Sequence, residues 1–197
     1  MGVIHFEKQD MDEHNVEVAQ ANERDGLAQV RLLLPKRLAE KEDRLVEWHS
    51  RLKGNQRTKL LALYDFMAEL YRPLAQLTPC KKGCESCCYY PVSISNVEIE
   101  IIERGTGRKR IKKQGPAVDH HGQPCPFLAK GSCSIYDYRP FVCRRHLSLT
   151  KTPYWCHPDR ANAAEFQQLR FSEVELVFKL ILSEGGMARP VDIRQVF

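Results

Sequence analysis

All eight cysteines of this 197-residue chain lie between residues 80 and 156. Four of them fall within nine residues, in the run Cys80-Lys-Lys-Gly-Cys84-Glu-Ser-Cys87-Cys88, and the others are Cys125, Cys133, Cys143 and Cys156. Thiolates are soft donors that favour zinc and iron–sulfur clusters over calcium or magnesium. The first cysteines are spaced closely enough for their sulfur atoms to converge on one point. The pattern therefore predicts that all eight cysteines serve as metal ligands.

The number of metal sites is left open by the spacing alone. Cys87 and Cys88 are sequence neighbours, and successive side chains of an extended backbone point to opposite faces. We therefore expect these two thiols to serve different sites, or one of them to pack while the other binds metal. Two four-thiol sites, one site with the remaining cysteines buried or redox-active, and disulfides alone are the alternatives.

The segments around the cysteines indicate a reducing compartment. The first 20 residues, MGVIHFEKQDMDEHNVEVAQ, are polar and acidic and contain no apolar core typical of a secretion signal. No run of the sequence approaches 18 consecutive apolar residues, so no membrane span is expected. We expect a cytoplasmic protein, in which clustered thiols act as metal ligands or redox groups before they act as disulfides.

Positive charge is concentrated on the cysteine-rich segment. Residues 80–160 contain 14 basic and 7 acidic residues, an excess of +7, whereas the whole chain carries +5. Because a four-thiolate zinc site carries a net charge of about −2, the basic excess can offset metal-bound thiolates. The alternative is a contact with an acidic protein or a nucleic acid, for which the run from Arg108 to Lys113 is the candidate.

Two arginines are candidates for a supporting role at the metal. Arg139 and Arg144 flank Cys143, so they could donate hydrogen bonds to metal-bound sulfur or bind an anion beside the metal. In the alternative interpretation Arg139 pairs with Asp137 or closes a turn. The histidines near the cysteines are His120, His121, His146 and His157; each could replace a thiol as a ligand, and His157 is the best placed.

Helical patterns surround the cysteine-rich segment. Apolar spacing, Pro35 and Gly185-Gly186 predict helices over 12–33, 35–52, 57–72, 95–105 and 163–183. Ser95 followed by Glu98 is a capping-box pattern at the start of the fourth helix. By contrast, residues 115–160 contain six prolines and little periodicity. These observations predict a mainly α protein: a small helical domain around an irregular, metal-stapled, cysteine-rich centre, with an N-terminal helical extension.

The expected organisation has three parts. Residues 1–79 form an N-terminal arm and helical extension, of which residues 1–34 are expected to be loose. Residues 80–160 form the cysteine-cluster metal-binding core, and residues 161–197 form a C-terminal helix and tail that pack on that core.

The motifs around the cysteines resemble those of the YkgJ-type cysteine-cluster family, which is described as zinc- or iron-chelating. The similarity comprises the CxxxCxxCC run of residues 80–88, Pro91-Val-Ser-Ile leading to Glu98, Cys125-Pro-Phe-Leu, and Cys133-Ser-Ile-Tyr-Asp-Tyr-Arg-Pro followed by Cys143-Arg. The resemblance implies metal chelation by the cysteines. A similar region of flagellin lysine methylases is associated with an iron–sulfur cluster, which favours iron–sulfur slightly over zinc.

Three functions are consistent with the sequence. The first is a metal-binding protein that coordinates an iron–sulfur cluster or zinc through its clustered cysteines. The second is an iron–sulfur-dependent redox or methyl-transfer enzyme, although no HExxH, GxSxG or other catalytic motif identifies a catalytic residue. The third is a zinc-stabilised module that binds nucleic acid or protein.

Overall fold

The computed structural model describes residues 14–111, 118–160, 162–186 and 190–197. Within these residues the protein is mainly helical, as the sequence predicts. The described α-helices are α1 Val16–Leu33, α2 Lys36–Asp43, α3 Leu45–Arg51, α4 Gln56–Tyr71, α5 Asn96–Thr106, α6 Phe141–Arg145 and α7 Ser172–Ser183. None of the described helices is both long and apolar enough to cross a membrane.

Short elements occupy the segment between the helices. The strands are β1 Ser93–Ile94, β2 Leu128–Ala129, β3 Ser132–Cys133 and β4 Val191–Asp192, which form the antiparallel pairs β1–β4 and β2–β3. The 3-10 helices are Arg72–Leu77, Ser86–Tyr89, Tyr136–Tyr138, Tyr154–Cys156, Pro158–Arg160 and Ile193–Gln195. The cysteine-rich centre is therefore irregular, as its proline content predicts.

Helix α4 is the centre of the larger hydrophobic core. Its fully buried residues Leu60, Leu63, Met67 and Leu70 recur at three- and four-residue steps, the spacing that places side chains on one face of a helix. Helices α3, α5, α6 and α7 contribute to the same core. The core therefore joins the N-terminal extension, the cysteine-rich segment and the C-terminal helix.

A second hydrophobic core lies directly beneath the cysteines. It contains buried Val92, Ile99, Ile102 and Val196, and the half-buried Cys125, Cys133 and Cys143 pack against it. The β1–β4 pair draws the C-terminal residues into this core, so the end of the chain supports the cysteine-rich segment.

The described part of the N-terminal arm contains the helix expected over residues 12–33, as α1. Its packing corrects the expectation that residues 1–34 are loose. Asn15 caps α1 by accepting the backbone N–H groups of Glu17 and Val18. Ala19 and Val30 are buried, and Val30 packs with Leu74 and Leu149 in a third cluster. An apolar stripe on α1 thus covers part of the cysteine-rich segment; residues 1–13 lie outside the described residues.

Two expected helices differ from the structure in their extent. The helix expected over 35–52 is divided at Arg44 into α2 and α3. The helix expected over 163–183 begins only at Ser172. Residues 162–171 instead form a non-helical segment, here called the strap. In this segment Phe166 packs against Trp155, and Leu169 joins the third cluster.

Candidate metal centre

The eight cysteines are all free thiols, and all are half-buried. The 3-10 helix Ser86–Tyr89 carries Cys87 and Cys88, strand β3 ends at Cys133, α6 carries Cys143, and the 3-10 helix Tyr154–Cys156 ends at Cys156. Irregular structure thus presents most of the thiols, and α5 and β1–β4 hold that structure against the second core.

Four thiols form one mutually interacting group, here called the first thiol set: Cys80, Cys84, Cys87 and Cys156. Every pair within this set interacts electrostatically. Burial raises the pKa of the Cys80, Cys84 and Cys156 thiols, and their neighbours in the set raise it further; for Cys156 the pKa is raised to about 12. The set joins the close-spaced run to a cysteine nearly 70 residues later.

Three further thiols form a second group, here called the second thiol set: Cys125, Cys133 and Cys143. Each interacts electrostatically with the other two. Burial is the main cause that raises the pKa of each of these thiols, and for Cys143 the pKa is raised well above its ordinary value. The widely spaced cysteines of the sequence therefore come together.

Cys87 and Cys88 lie where the two sets meet. A hydrogen bond with Cys88 and then burial raise the pKa of the Cys87 thiol, which also interacts with Cys133 and Cys143. The backbone carbonyl of Cys88 accepts the N–H of Cys125 at 2.9 Å. Cys87 therefore belongs to the first thiol set and borders the second, and Cys88 is tied to the second through its backbone.

Backbone N–H groups support the sulfur atoms in a repeated way. Burial raises the pKa of the Cys84, Cys125 and Cys133 thiols, and in each case the N–H two residues later opposes it, from Ser86, Phe127 and Ile135 respectively. A hydrogen bond donated to sulfur favours the thiolate. The same local turn thus favours the metal-binding form at cysteines of both sets.

Ser148 supports the first thiol set and was not identified from the sequence. Its backbone N–H donates to Cys80 Sγ at 3.5 Å, and its side chain hydrogen-bonds Cys156. The Ser148 hydroxyl also contacts the Thr150 hydroxyl at 2.7 Å. Ser148 and Thr150 are buried polar residues in a chain segment without cysteines, so only their contacts reveal the role.

The two arginines predicted to support the metal have different surroundings. The positive charge of Arg139 lowers the pKa of the Cys80, Cys87, Cys133 and Cys143 thiols, against the larger raising effects of burial and, for Cys87, of the Cys88 hydrogen bond. Arg139 thus faces both thiol sets. The Arg144 guanidinium instead donates to the backbone carbonyls of Arg139 and Asp137 and lies 4.3 Å from the Tyr64 ring centre. Its described contacts position the chain around Arg139.

Arg194 is a second supporting residue that the sequence did not indicate. Its side chain is only 7% exposed, and it donates to the carbonyls of Cys88 at 3.0 Å and Pro124 at 3.1 Å. It also forms an ion pair with Asp192, which accepts the Val92 N–H at 2.7 Å. This arginine comes from the C-terminal tail and joins the loops that carry Cys88 and Cys125.

The histidines near the cysteines have varied contacts. His157 lies 5.0 Å from Tyr89, centre to centre, and 3.3 Å from the Asp159 carboxylate. His121 contacts Tyr90 edge-on. His120 and His146 each bond a glutamine through Nδ1, and their buried Nε2 atoms have no hydrogen-bond partner among the described residues.

The basic run proposed as a partner surface is largely engaged within the chain where it is described. Arg108 donates to the carbonyls of Pro126 and Phe197. Arg110 pairs with Glu103 at 2.6 Å. Lys112 and Lys113 lie outside the described residues. Arg108 therefore fastens the loop after α5 to residues at the second core, and Arg110 fastens it to α5 itself.

In the conformation described, the Cys, His, Asp and Glu side chains of residues 14–111, 118–160, 162–186 and 190–197 form no group of three or more that could hold a metal ion. The donor chemistry nevertheless fits a metal centre. Free thiols are grouped in two sets, backbone N–H groups favour their thiolates, and Arg139 supplies positive charge to both. Zinc and iron both take such sulfur ligands.

Comparison with protein families agrees with this chemistry. Residues 79–167 match the family described as "CxxCxxCC: Putative zinc- or iron-chelating domain". The match includes all eight cysteines and confirms the family resemblance of the cysteine motifs. No match to a curated protein or to a solved structure reaches significance.

Proposed function

We propose, from the premise that residues 79–167 belong to the zinc- or iron-chelating cysteine-cluster family, that this protein binds metal at two neighbouring four-thiol sites. The first site uses the first thiol set, Cys80, Cys84, Cys87 and Cys156. The second uses the second thiol set, completed by Cys88. The observation that carries the proposal is the pair of hydrogen bonds from Ser148 to Cys80 and Cys156, which brings the last cysteine to the close-spaced run. The mutual electrostatic effects of the four thiols agree with it.

The assignment of Cys87 and Cys88 to different sites follows from their surroundings. Cys87 interacts with each other member of the first thiol set. Cys88 lies next along the same 3-10 helix, and its carbonyl is bonded to the N–H of Cys125. The Cys87 and Cys88 thiols are hydrogen-bonded to each other in the described conformation, so service to separate metals requires the Cys88 thiol to turn toward the second thiol set. Coordination requires the sulfur atoms to rotate toward a common point, since the described conformation holds no metal.

Proton release is expected to accompany metal binding. The pKa is raised for seven of the thiols. Burial is the largest cause for six of them, and for Cys87 a hydrogen bond with Cys88 comes before burial. These raised pKa values favour the protonated form in the metal-free chain. A metal cation must displace these protons, because the thiolate is the ligand. Arg139 and the backbone N–H groups reduce the cost of that ionisation. The thiol sets thus act as proton-loaded sites that exchange protons for metal.

We favour an iron–sulfur cluster slightly over zinc as the bound group. Close-spaced cysteines suit a cubane cluster, and the similarity to the methylase region points the same way. Four-thiolate zinc sites are the alternative. In the third interpretation a zinc-stabilised module binds nucleic acid, but the contacts of Arg108 and Arg110 within the chain give that interpretation little support.

Metal content per chain tests the proposal. Protein purified without oxygen is analysed for iron, acid-labile sulfide and zinc, and its visible spectrum is recorded. Brown protein with iron and sulfide identifies an iron–sulfur cluster, and colourless protein with zinc identifies zinc sites. Cys84→Ser and Cys125→Ser each remove a ligand from a different set, so each is expected to lower the metal content by about half, and the double variant to remove both metals.

The two single variants control each other. Loss of all metal in either one would show a single shared centre instead of two sites. Full metal content in both would refute the role of these cysteines. Resistance to limited proteolysis is measured in parallel, because metal binding contributes free energy to the folded state.

A further inference from the structure

A cleft of about 600 Å³ opens beside the thiols. Cys87, Cys143 and Cys156 line it, so members of both thiol sets border the same cavity. The volume lies within the range of pockets that hold small organic molecules. A metal or cluster held by these thiols would fill the end of the cleft that the three cysteines line. The aromatic and basic residues that line the rest call for a separate explanation.

One wall of the cleft is aromatic. Tyr90, Trp155 and Phe166 line it, and the rings of Trp155 and Phe166 pack at 5.5 Å between centres. Phe166 belongs to the strap, and Trp155 immediately precedes the last cysteine. Flat aromatic walls of this kind favour planar apolar ligands, which stack or pack edge-on against them.

His146, which lines the cleft, carries a hydrogen-bond donor without an acceptor among the described residues. The Gln168 amide nitrogen lies 3.2 Å from His146 Nδ1 and donates to it, so the neutral imidazole carries its proton on Nε2. This Nε2 is buried and has no hydrogen-bond partner among the described residues. Buried polar groups are normally paired, and one left unpaired at a cavity is a natural contact for a ligand. An oxygen atom of a ligand could supply the missing acceptor.

Charge around the cleft favours an anionic oxygen. Arg145 and Arg170 both line it, and Glu165 is the one acidic residue that does. Glu175, which does not line the cleft, pairs with both guanidiniums. Its carboxylate lies 2.9 Å from Arg145 and 3.8 Å from Arg170. The weaker of these pairs leaves Arg170 available to a second anion, and the planar guanidinium binds carboxylates through paired hydrogen bonds.

The strap, which lines one side of the cleft, is hydrogen-bonded to helix α1, and α1 lies outside the family-matched segment. Gln20 of α1 donates to the Glu165 carbonyl at 3.3 Å. Glu23 of α1 accepts the Gln167 N–H, and its side chain is almost fully buried. Because α1 precedes residue 79, the shape of the cleft depends on this chain's own extension as well as on the family segment.

We propose that this cleft binds a small aromatic carboxylate beside the metal-binding cysteines. The aromatic ring packs against Trp155 and Phe166, and the carboxylate pairs with Arg170. Rotation of the His146 side chain toward the cleft would let its Nε2 donate to the same carboxylate. The proposal rests on the proposed function only in naming the cysteines as metal ligands. A ligand site bordering both thiol sets would bring an organic molecule next to the metal, as an enzyme or a ligand sensor requires.

Equilibrium dialysis against radiolabelled benzoate, phenylacetate and 3-phenylpropanoate tests the proposal on the metal-loaded full chain. At least one of these probes is expected to bind in one-to-one stoichiometry, and the matching neutral amide about tenfold more weakly. His146→Leu and Arg170→Gln are each expected to weaken binding about tenfold. Metal content is measured on the same samples.

Two matched variants serve as controls. His120 has the same pattern of a glutamine at Nδ1 and an unpaired Nε2, but it does not line the cleft. Arg104 is an exposed arginine paired with a glutamate, as Arg170 is. His120→Leu and Arg104→Gln should therefore leave binding unchanged. Phe166→Ala provides an independent test of the aromatic wall if His146→Leu alters the metal content.

Several results would overturn the proposal. Absence of binding by all three carboxylates to a fully metal-loaded chain would do so, and so would unchanged binding in His146→Leu, Arg170→Gln and Phe166→Ala. Carboxylate binding by a chain that takes up no metal would instead refute the proposed function and leave the cleft assignment standing. The two proposals therefore fail separately.

Discussion

The buried carboxylate of Glu98 accepts a hydrogen bond from the backbone N–H of Phe141 at 2.7 Å. Phe141 is the first residue of α6, which carries Cys143. The same carboxylate accepts the Tyr64 hydroxyl at 3.0 Å, and its other oxygen accepts the Ser95 N–H at 2.8 Å. One side chain thus caps α5, begins α6 and joins both to the core helix α4.

Replacement of Glu98 should therefore lower the stability of the folded protein. Glu98→Ala leaves four donors without this acceptor, two of them buried, and we expect a loss of about 2–4 kcal/mol in the free energy of unfolding. Glu98 is 2% exposed, so water cannot substitute. Urea unfolding followed by circular dichroism measures the effect. Glu100→Ala, on the exposed side of the same helix, should cost no more than about 0.5 kcal/mol, and equal losses in the two variants would contradict this role.

Arg139 should strengthen metal binding through its charge. Its guanidinium lowers the pKa of thiols in both sets, against the opposing effect of burial. Arg139→Gln removes this effect, so fewer thiolates form at a given pH. We expect zinc affinity at neutral pH to fall about three- to tenfold, since metal must then displace more tightly held protons.

Competition with a chromophoric zinc chelator measures this change. The difference from the unmodified chain should narrow at high pH, where the thiols ionise without assistance. Arg104→Gln is the control, because Arg104 pairs with Glu100 on the exposed face of α5. A loss of affinity that does not vary with pH would indicate that Arg139 acts only through packing on Tyr136, whose ring centre lies 3.6 Å from its guanidinium carbon.

Arg194 should be indispensable for the loops of the second thiol set. Its buried guanidinium bonds three backbone carbonyls and Asp192. Arg194→Ala leaves the Asp192 carboxylate buried, and we expect a loss of about 3–5 kcal/mol in stability. Arg194→Lys should recover little of it, because a lysine cannot reproduce the planar set of donors.

Thermal unfolding and metal content together test this prediction. The metal of the second site should be lost before that of the first in Arg194→Ala, since the contacts of Arg194 with Cys88 and Pro124 concern the second site. Stability and metal content equal to those of the unmodified chain in both variants would show that the tail is not a support for the cysteine loops.

Glu42 should make the stability of the chain depend on pH. Burial raises the pKa of Glu42, and the backbone N–H groups of Glu173 and Val174 at the start of α7 oppose that rise. A raised pKa in the folded state means that the proton is held more tightly there than in the unfolded chain. The stability that this group contributes is therefore fully present below about pH 4.5 and is lost as the pH rises through the raised value.

Two substitutions separate the charge of Glu42 from its hydrogen bonds. Glu42→Gln keeps an acceptor for the Glu173 N–H without the charge, so its stability relative to the unmodified chain should improve between pH 5 and pH 7.5. Glu42→Ala loses the cap of α7, at a cost of about 1–2 kcal/mol. Urea unfolding at both pH values gives the comparison, and a Glu42→Gln difference that is constant with pH would contradict the assignment.

The sequence predicted the elements whose signals are local. The positions of Leu60, Leu63, Met67 and Leu70 place α4 correctly, because a buried helix face repeats every three to four residues. The Ser95 and Glu98 pair places the start of α5 correctly, since a capping box lies within one turn. The cysteine motifs likewise predicted the similarity to the zinc- or iron-chelating domain that residues 79–167 match.

Local signals misled where distant contacts decide the backbone. Phe166 and Leu169 have helical spacing, yet the strap is not helical. Its backbone groups are bonded outside the strap: the Glu165 carbonyl to Gln20, the Gln167 N–H to Glu23 and the Leu169 N–H to the Leu147 carbonyl. The apolar stripe of α1 was too sparse to predict its packing on residues that lie more than 40 positions later. Helical periodicity reports only that a helix is compatible with the sequence.

The sequence by itself determined that this chain has metal-binding chemistry, because eight thiols in a family-specific pattern define the type of ligand. Only the tertiary structure decided which thiols are neighbours: Cys156 joins Cys80 across most of the cysteine-rich segment, and Cys87 and Cys88 lie at the meeting of two sets. It also decided that His146 borders a cleft beside them. The type of a donor atom is a property of one residue, whereas the grouping of donors depends on how buried helices and the C-terminal tail fold irregular loops together.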